Sequence, residues 1–317
     1  MRWDVAHRVA SIAAVHVHRD YGIDRSVYVD VFTTIEAAGI HCVAQPLPRL
    51  LGMYMAPEDD GPAILVNSGQ DEIGIRHSAA HELGHHALGH TSRWDEDPFV
   101  RWGNGTWPDD EKTAEAFAAW CLMPPPAVRT AMRLAGVQAP SSGGDVYQIA
   151  RWLGTSYAGT VRHLVNVRLA RPQQANAWSR IPPASLRRTA QGHADPPPGH
   201  VWVLRPCANG ATAHVAAGDR LHLLLPAEAQ INAPGGVTCV RGTDEAVLPG
   251  VPGPAAGPLL QVTCELTTPV VLTACLGDAG RPWRVTLAPV PLRRGIAEAW
   301  RSGPDQQRPG EQIGGAQ

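Results

Sequence analysis

The chain has 317 residues, a formal net charge of −2 and 44% apolar residues. That is long enough for two domains and apolar enough for packed cores, which excludes wholesale disorder. The near-neutral charge lacks the footprint of a nucleic-acid or anionic-membrane binder, and the basic residues are nearly all arginine, Lys112 being the single lysine. No run approaches the roughly 20 apolar residues that span a bilayer. The start, Met1-Arg2-Trp3-Asp4, carries charge where a signal peptide needs its apolar run, so a cytoplasmic location is expected. The six cysteines (Cys42, Cys121, Cys207, Cys239, Cys264, Cys275) form no C-x-x-C pair. Most are expected as buried thiols; the alternative is that the last four gather round a second metal.

In chain order, Val5, Val9, Ile12 and Ala13 recur at helical spacing over residues 4–20, with Gly22 as a stop. A short helix is predicted from about Val27 to Ala38, closed by Gly39. Strand-like runs follow at Ile40–Ala44, Leu50–Met55 and Ala63–Asn67. Helices are predicted over Gly74–His90, over Asp110–Met123 (ended by Pro124-Pro125-Pro126), and at about Asp145–Leu153 and Ser156–Leu169. From Arg171 to Gly199 the texture turns to Pro, Gln, Ala and Arg without periodicity, which predicts a linker. Beyond it lie β-type runs at Val201–Arg205, Arg220–Leu225, Gly236–Arg241, Leu259–Leu266, Val270–Leu276 and Trp283–Ala288. The residues from Arg301 to Gln317 are expected to be disordered.

The chemistry concentrates in His81-Glu82-Leu83-Gly84-His85. Two histidines four apart on a helix share a face and can share one metal ion, with Glu82 beside its open position as general base and acid. With 14 histidines, the pattern arises by chance in about two of a hundred such chains. The bland alternative is a surface helix rich in histidine, since His77, His86 and His90 lie close by. Against it, Ala80, Leu83 and Ala87 form an apolar stripe that would bury the helix, and buried histidines need partners.

A catalytic zinc keeps three protein ligands. His90 falls one residue short of the H-E-x-x-H-x-x-G-x-x-H spacing, where Thr91 stands, and is expected to support the helix end or a ligand from behind. On the next helix Ala114, Phe117, Ala118 and Cys121 mark a buried face, with Glu111 and Glu115 together beside it. One carboxylate can bind the metal while the other orients a histidine; the structural alternative is two solvated acids at a helix start.

These segments resemble the ImmA/IrrE family of metallopeptidases, zincins with a glutamate as third ligand. The resemblance covers roughly residues 5–170. It rests on Ile64-Leu65-Val66-Asn67, Arg76 and Ala80-His81-Glu82-Leu83-Gly84-His85. It rests further on the pattern E-x-x-A-[ND]-x-F-A-x-x-L-[LM]-M-P from Glu111 to Pro124, and on Ile149-Ala150-Arg151-Trp152-Leu153-Gly154-Thr155-Ser156. It implies Glu111 as third ligand, with Glu115 standing where the family has Asn or Asp. It also implies a regulatory zinc (or manganese) endopeptidase that cuts a helix-turn-helix repressor.

The expected architecture is therefore α+β. A zincin-like, mainly helical domain with a small sheet occupies residues 1–170, a linker 171–199, and an all-β, sandwich- or barrel-like domain 200–300. The rival reading is a DNA-binding or interaction regulator built on the 145–169 helix pair, with Arg151, Arg162 and Arg168 meeting phosphates and the metal site structural or inactive. The neutral charge argues against direct nucleic-acid binding. Tyr157 and His163 are named as oxyanion-stabilising candidates only by position, packing being the usual role of each.

Overall fold

The structure is a computed structural model that describes residues 1–47, 49–96, 107–191, 199–226, 228–240, 246–247, 254–255, 257–276 and 281–291. The first half is helical around a small sheet. Helix α1 (Trp3–Asp20) buries Ala6, Ala10, Ala14 and Val17, a stripe of small residues that lets another helix approach closely. Helix α2 (Val31–Ala37) is shorter than expected, because the Asp30 side chain accepts from the backbone N–H of Phe32 and Thr33 and so fixes its start there. Strands β1 (His41–Gln45), β2 (Leu50–Met55), β3 (Ala63–Asn67) and β4 (Arg93–Glu96) form one sheet in the order β1-β3-β2-β4. The β1–β3 pair is parallel, and β2 runs antiparallel to both β3 and β4.

Helix α3 (Glu72–Ala87), capped by Asp71, packs on β2 and β3. Helix α4 (Asp109–Leu122) packs against α3 and α1. After Pro124, where the sequence suggested only a stop, helix α5 (Pro125–Leu134) begins with proline at its first position. Helices α6 (Gly143–Leu153) and α7 (Tyr157–Asn166) form the expected pair, α6 starting in a capping box of Ser142 and Asp145. Arg76 ties these parts together from a buried position. Its guanidinium lies 4.2 Å over the Tyr28 ring, and it donates to the Leu153, Gly154 and Val29 carbonyls, two of them orphans at the end of α6.

The first part of the expected linker is not irregular. Residues 171–191 carry helices α8 (Pro172–Ser179) and α9 (Pro183–Gln191), each opened by proline, and buried Trp178 and Ala190 anchor them. A polar composition hid two helices that each bury one or two side chains.

The β-rich half holds two four-stranded sheets. One runs β5 (Val201–Leu204), β7 (Arg220–Leu223), β12 (Leu259–Val262), β9 (Val237–Val240); the other runs β6 (Thr212–Val215), β14 (Arg281–Pro289), β13 (Val270–Leu276), β8 (Gln230–Asn232). Two short strands, β10 (Ala246–Val247) and β11 (Pro254–Ala255), pair with each other. The described strands close no barrel. The three-residue β8 escaped sequence reading because it is too short to show alternation, and β6 because it offers only Ala213 and Val215 to the core. Trp202, Trp283 and their neighbours in both sheets join the same apolar cluster as the helical half. The Gln148 amide completes the junction: its Nε2 donates to the Val201 carbonyl and its Oε1 accepts from the Val203 N–H.

The cysteines correct the expectation of burial. All six are free thiols, but only Cys121 is buried, Cys42 is half-buried, and the last four are exposed. Cys275 takes an outward position in the period-two alternation of β13, whereas Cys239 is exposed next to exposed Thr238 in β9, which does not alternate. They do not meet round a metal: among the described residues the one candidate group of ligands lies elsewhere. The tail 301–317 lies outside the described residues. No helix among them is long and apolar enough to cross a membrane.

Candidate metal centre

Helix α3 is buried along its middle turns, with Ala79, Ala80 and Leu83 wholly inside, so its histidines are core residues. Gly84 sets how near α4 can come. A Cβ there would stand 3.0 Å from Phe117 Cδ1 and 3.1 Å from the Ala114 Cα and carbonyl oxygen. That approach places Glu111, one turn before Ala114, opposite both histidines. His81 Nε2 lies 3.1 Å from His85 Nε2, and Glu111 oxygens lie 3.3 Å and 3.7 Å from the two nitrogens in turn. One donor atom from each of the three residues falls within 4.8 Å of the others, and all three side chains are buried.

Two donors on a tetrahedral zinc, each about 2.0–2.1 Å from the ion, stand roughly 3.3 Å apart. The three separations bracket that figure, and two imidazoles with a carboxylate are a donor set zinc accepts. The buried His-His-Glu group could thus hold a metal ion. Burial first, then the neighbouring His81, pull the His85 imidazolium down to about 3, so the ring is neutral at ordinary pH. A neutral ring is the form that binds metal.

The second nitrogens of both rings are also engaged. Glu115 Oε2 lies 2.9 Å from His77 Nε2 and 3.5 Å from His81 Nδ1. Burial works against the Glu115 charge, yet His77 and His81 outweigh it and hold the carboxyl well below its ordinary value. A carboxylate there favours the proton on His81 Nδ1 and leaves the Nε2 lone pair facing the group. His90 Nδ1 lies 2.9 Å from His85 Nδ1. It gets there because Gly89, at φ +67°, turns the chain back at the end of α3 and lets the His90 N–H bond to the His85 carbonyl.

The geometry thus groups Glu111 with the two Nε2 atoms and sets Glu115 and His90 behind the rings. Glu82 is wholly buried, and its carboxylate lies against Gly52 of β2. Sequence reasoning missed Gly52 and His77 as parts of the site. His77 did carry a signal, its spacing of four from His81; Gly52 carried none, being distant in sequence.

A cavity of about 560 Å³ opens beside the triad. It touches the triad through His81, with Glu115 next to it, and is walled by Leu51, Ile73, Leu122 and Met123 among others. The two oxyanion candidates are occupied structurally: the Tyr157 hydroxyl donates to the Trp178 carbonyl, and His163 Nε2 donates to the Met123 carbonyl. Of the three arginines that could have met DNA phosphates, Arg151 is buried, while Arg162 and Arg168 are exposed.

No protein-family model matches the chain. No curated protein matches it either. Among solved structures it is similar to a Mycobacterium tuberculosis transcriptional regulator, at 14% identity and a TM-score of 0.36. That match covers 55% of this chain and 54% of the regulator, so the chain spans about half the regulator's length. A likeness that distant carries no argument about fold or activity.

Proposed function

We propose that this chain is a metal-dependent endopeptidase, with His81, His85 and Glu111 holding the ion and Glu82 acting as general base and then general acid. The observation that carries the reading is the buried convergence of the three donors on consecutive packed helices, with Glu82 one residue from His81. Zinc is the proposed ion and manganese the alternative. When bound there it would supply Lewis acidity and a water of lowered pKa.

Each residue then has a task. Glu82 takes a proton from the attacking water as its oxygen bonds to the scissile carbonyl carbon. When the C–N bond breaks, Glu82 passes that proton to the leaving amine nitrogen. Glu115 and His90 hold the ligand rings in orientation and tautomer. The apolar walls of the neighbouring cavity suit an apolar substrate side chain.

The motif resemblance suggests a helix-turn-helix repressor as the substrate. Incubating a repressor encoded beside this chain with wild type and with Glu82→Gln, followed by mass spectrometry, tests the proposal. One defined cut by wild type and none by the variant is expected. Cleavage of unfolded polypeptide alone would remove the repressor; no cleavage of anything would remove the peptidase.

A further inference from the structure

A second cavity, of about 380 Å³, lies where the start of α3, α6, the start of α7, α9 and the residue before β5 meet. Arg151 of α6 and Arg187 of α9 both line it, with Tyr147, His200 and one carboxylate, that of Asp71 at the start of α3, beside them. Its volume falls in the range of small-molecule sites, about 300–1,000 Å³.

Both arginines leave a donor unmade beside this cavity. Arg151 is 5% exposed. Its Nη2 donates to the Thr155 carbonyl, but its Nε is buried without a hydrogen-bond partner. Arg187 Nε is buried and unpartnered as well. Among the described residues no carboxylate comes within ion-pairing distance of either guanidinium. Two acids have charge that reaches Arg151, and one of them, Asp71, lines the cavity. Asp219 accepts from the His200 and Ala216 N–H groups and from Trp202 Nε1, and Asp71 caps α3 through Gly74.

A buried cation, Arg151, with half-buried Arg187 lining the same cavity and donors left unmade on both, costs stability. An anion between them offsets that cost, and guanidinium forks match carboxylate and phosphate oxygens in pairs. His200 adds no opposing or extra charge: burial, then Arg151 and Arg187, hold its imidazole down to about 2, so it stays neutral. Its Nδ1 lies 3.5 Å from the Tyr147 hydroxyl, and these two groups give the cavity neutral polar atoms beside its cations.

We propose that this cavity binds a small organic anion, carrying a phosphate or a carboxylate group, through Arg151 and Arg187. Its walls come from the helical half and from the segment that leads into the β-rich half, so an occupant clamps that junction. It shares Ile73, His77 and Ser156 with the larger cavity, so the occupant borders the proposed substrate site. The assignment does not depend on peptidase activity.

Calorimetric titration of the full chain with inorganic phosphate and, separately, succinate tests it. Saturable binding of at least one probe is expected, and the tighter probe identifies the preferred head group. Arg187→Gln should weaken binding at least about tenfold, whereas Arg188→Gln, at an exposed position on the same helix, should leave it unchanged. Arg151→Lys, which keeps the charge and loses the fork, should weaken it also, and stands in if Arg187→Gln does not fold. Three results would each overturn the proposal. They are no saturable heat with either probe, equal loss in Arg188→Gln, and binding that survives both cavity variants, as binding at the metal would.

Discussion

Gly52 of β2 lies directly against the carboxylate of Glu82. A Cβ added at position 52 would stand 2.4 Å from Glu82 Oε1 and 3.1 Å from its carboxyl carbon. Glu82 is 0% exposed, so the carboxylate cannot swing out into solvent. Gly52→Ala must therefore move the proposed general base by roughly 1 Å, and a displacement of that size costs about a hundredfold in rate. The expected outcome is normal metal content with kcat reduced about a hundredfold, read by cleavage assay and metal analysis together. Wild-type kcat in this variant would show that Glu82 need not sit where the strand holds it.

Glu115 and Glu111 are four residues apart on α4 but have different expected effects. Glu111 faces both Nε2 atoms, whereas Glu115 faces only the far side of His81. Glu115→Ala should weaken metal binding by about 10–100-fold without abolishing it. Competition against a chelator of known affinity measures this. An unchanged affinity would reduce Glu115 to a partner of His77 alone.

The spacing of α3 and α4 depends on Gly84. Valine there would drive a branched side chain into Phe117 and the Ala114 backbone, both already at contact distance from a bare Cβ. Gly84→Val should destabilise the fold by about 1–3 kcal/mol and should lose the metal, because Glu111 moves away with α4. Thermal unfolding and metal analysis check both effects. Retention of metal at an unchanged Tm would mean the helices are not held at that distance.

How much of this was legible in the sequence follows from what each feature depends on. The His81–His85 pair, the buried face of α4 and most of the later strands are local patterns, readable from spacing. The choice of Glu111 over Glu115 was not legible from spacing, because both sit on one helix turn; the approach of α3, which Gly84 permits, is what separates them. Helices α8 and α9 were hidden because each buries so little that no apolar stripe marks it. The Gly52–Glu82 contact depends on sheet register, and the Arg151–Arg187 cavity joins residues from elements whose packing no local pattern reports.

Acid should destabilise this protein through two buried histidines. His18 Nε2 and His163 Nε2 donate to the Cys121 and Met123 carbonyls at the end of α4. Burial is the main cause that pulls each imidazolium down to about 4, against 6.5 for a free side chain. With the folded value below the unfolded one, the unfolded chain binds more protons as pH falls. The stability is fully present above pH 6.5 and is lost between 6.5 and about 4. At the acid end of the window the loss is on the order of 3 kcal/mol per histidine. Urea unfolding at a series of pH values should show a midpoint that falls steadily across this window. A flat midpoint would mean these rings are not held neutral.

The central claim is a metal held by His81, His85 and Glu111 with Glu82 moving the protons. Metal content and peptide cleavage, measured side by side on wild type, Glu82→Gln and Glu111→Ala, test it most directly. The account predicts one metal ion per chain in wild type and in Glu82→Gln, none in Glu111→Ala, and cleavage by wild type alone. Wild type purified without metal, or Glu111→Ala with a full complement, would contradict it.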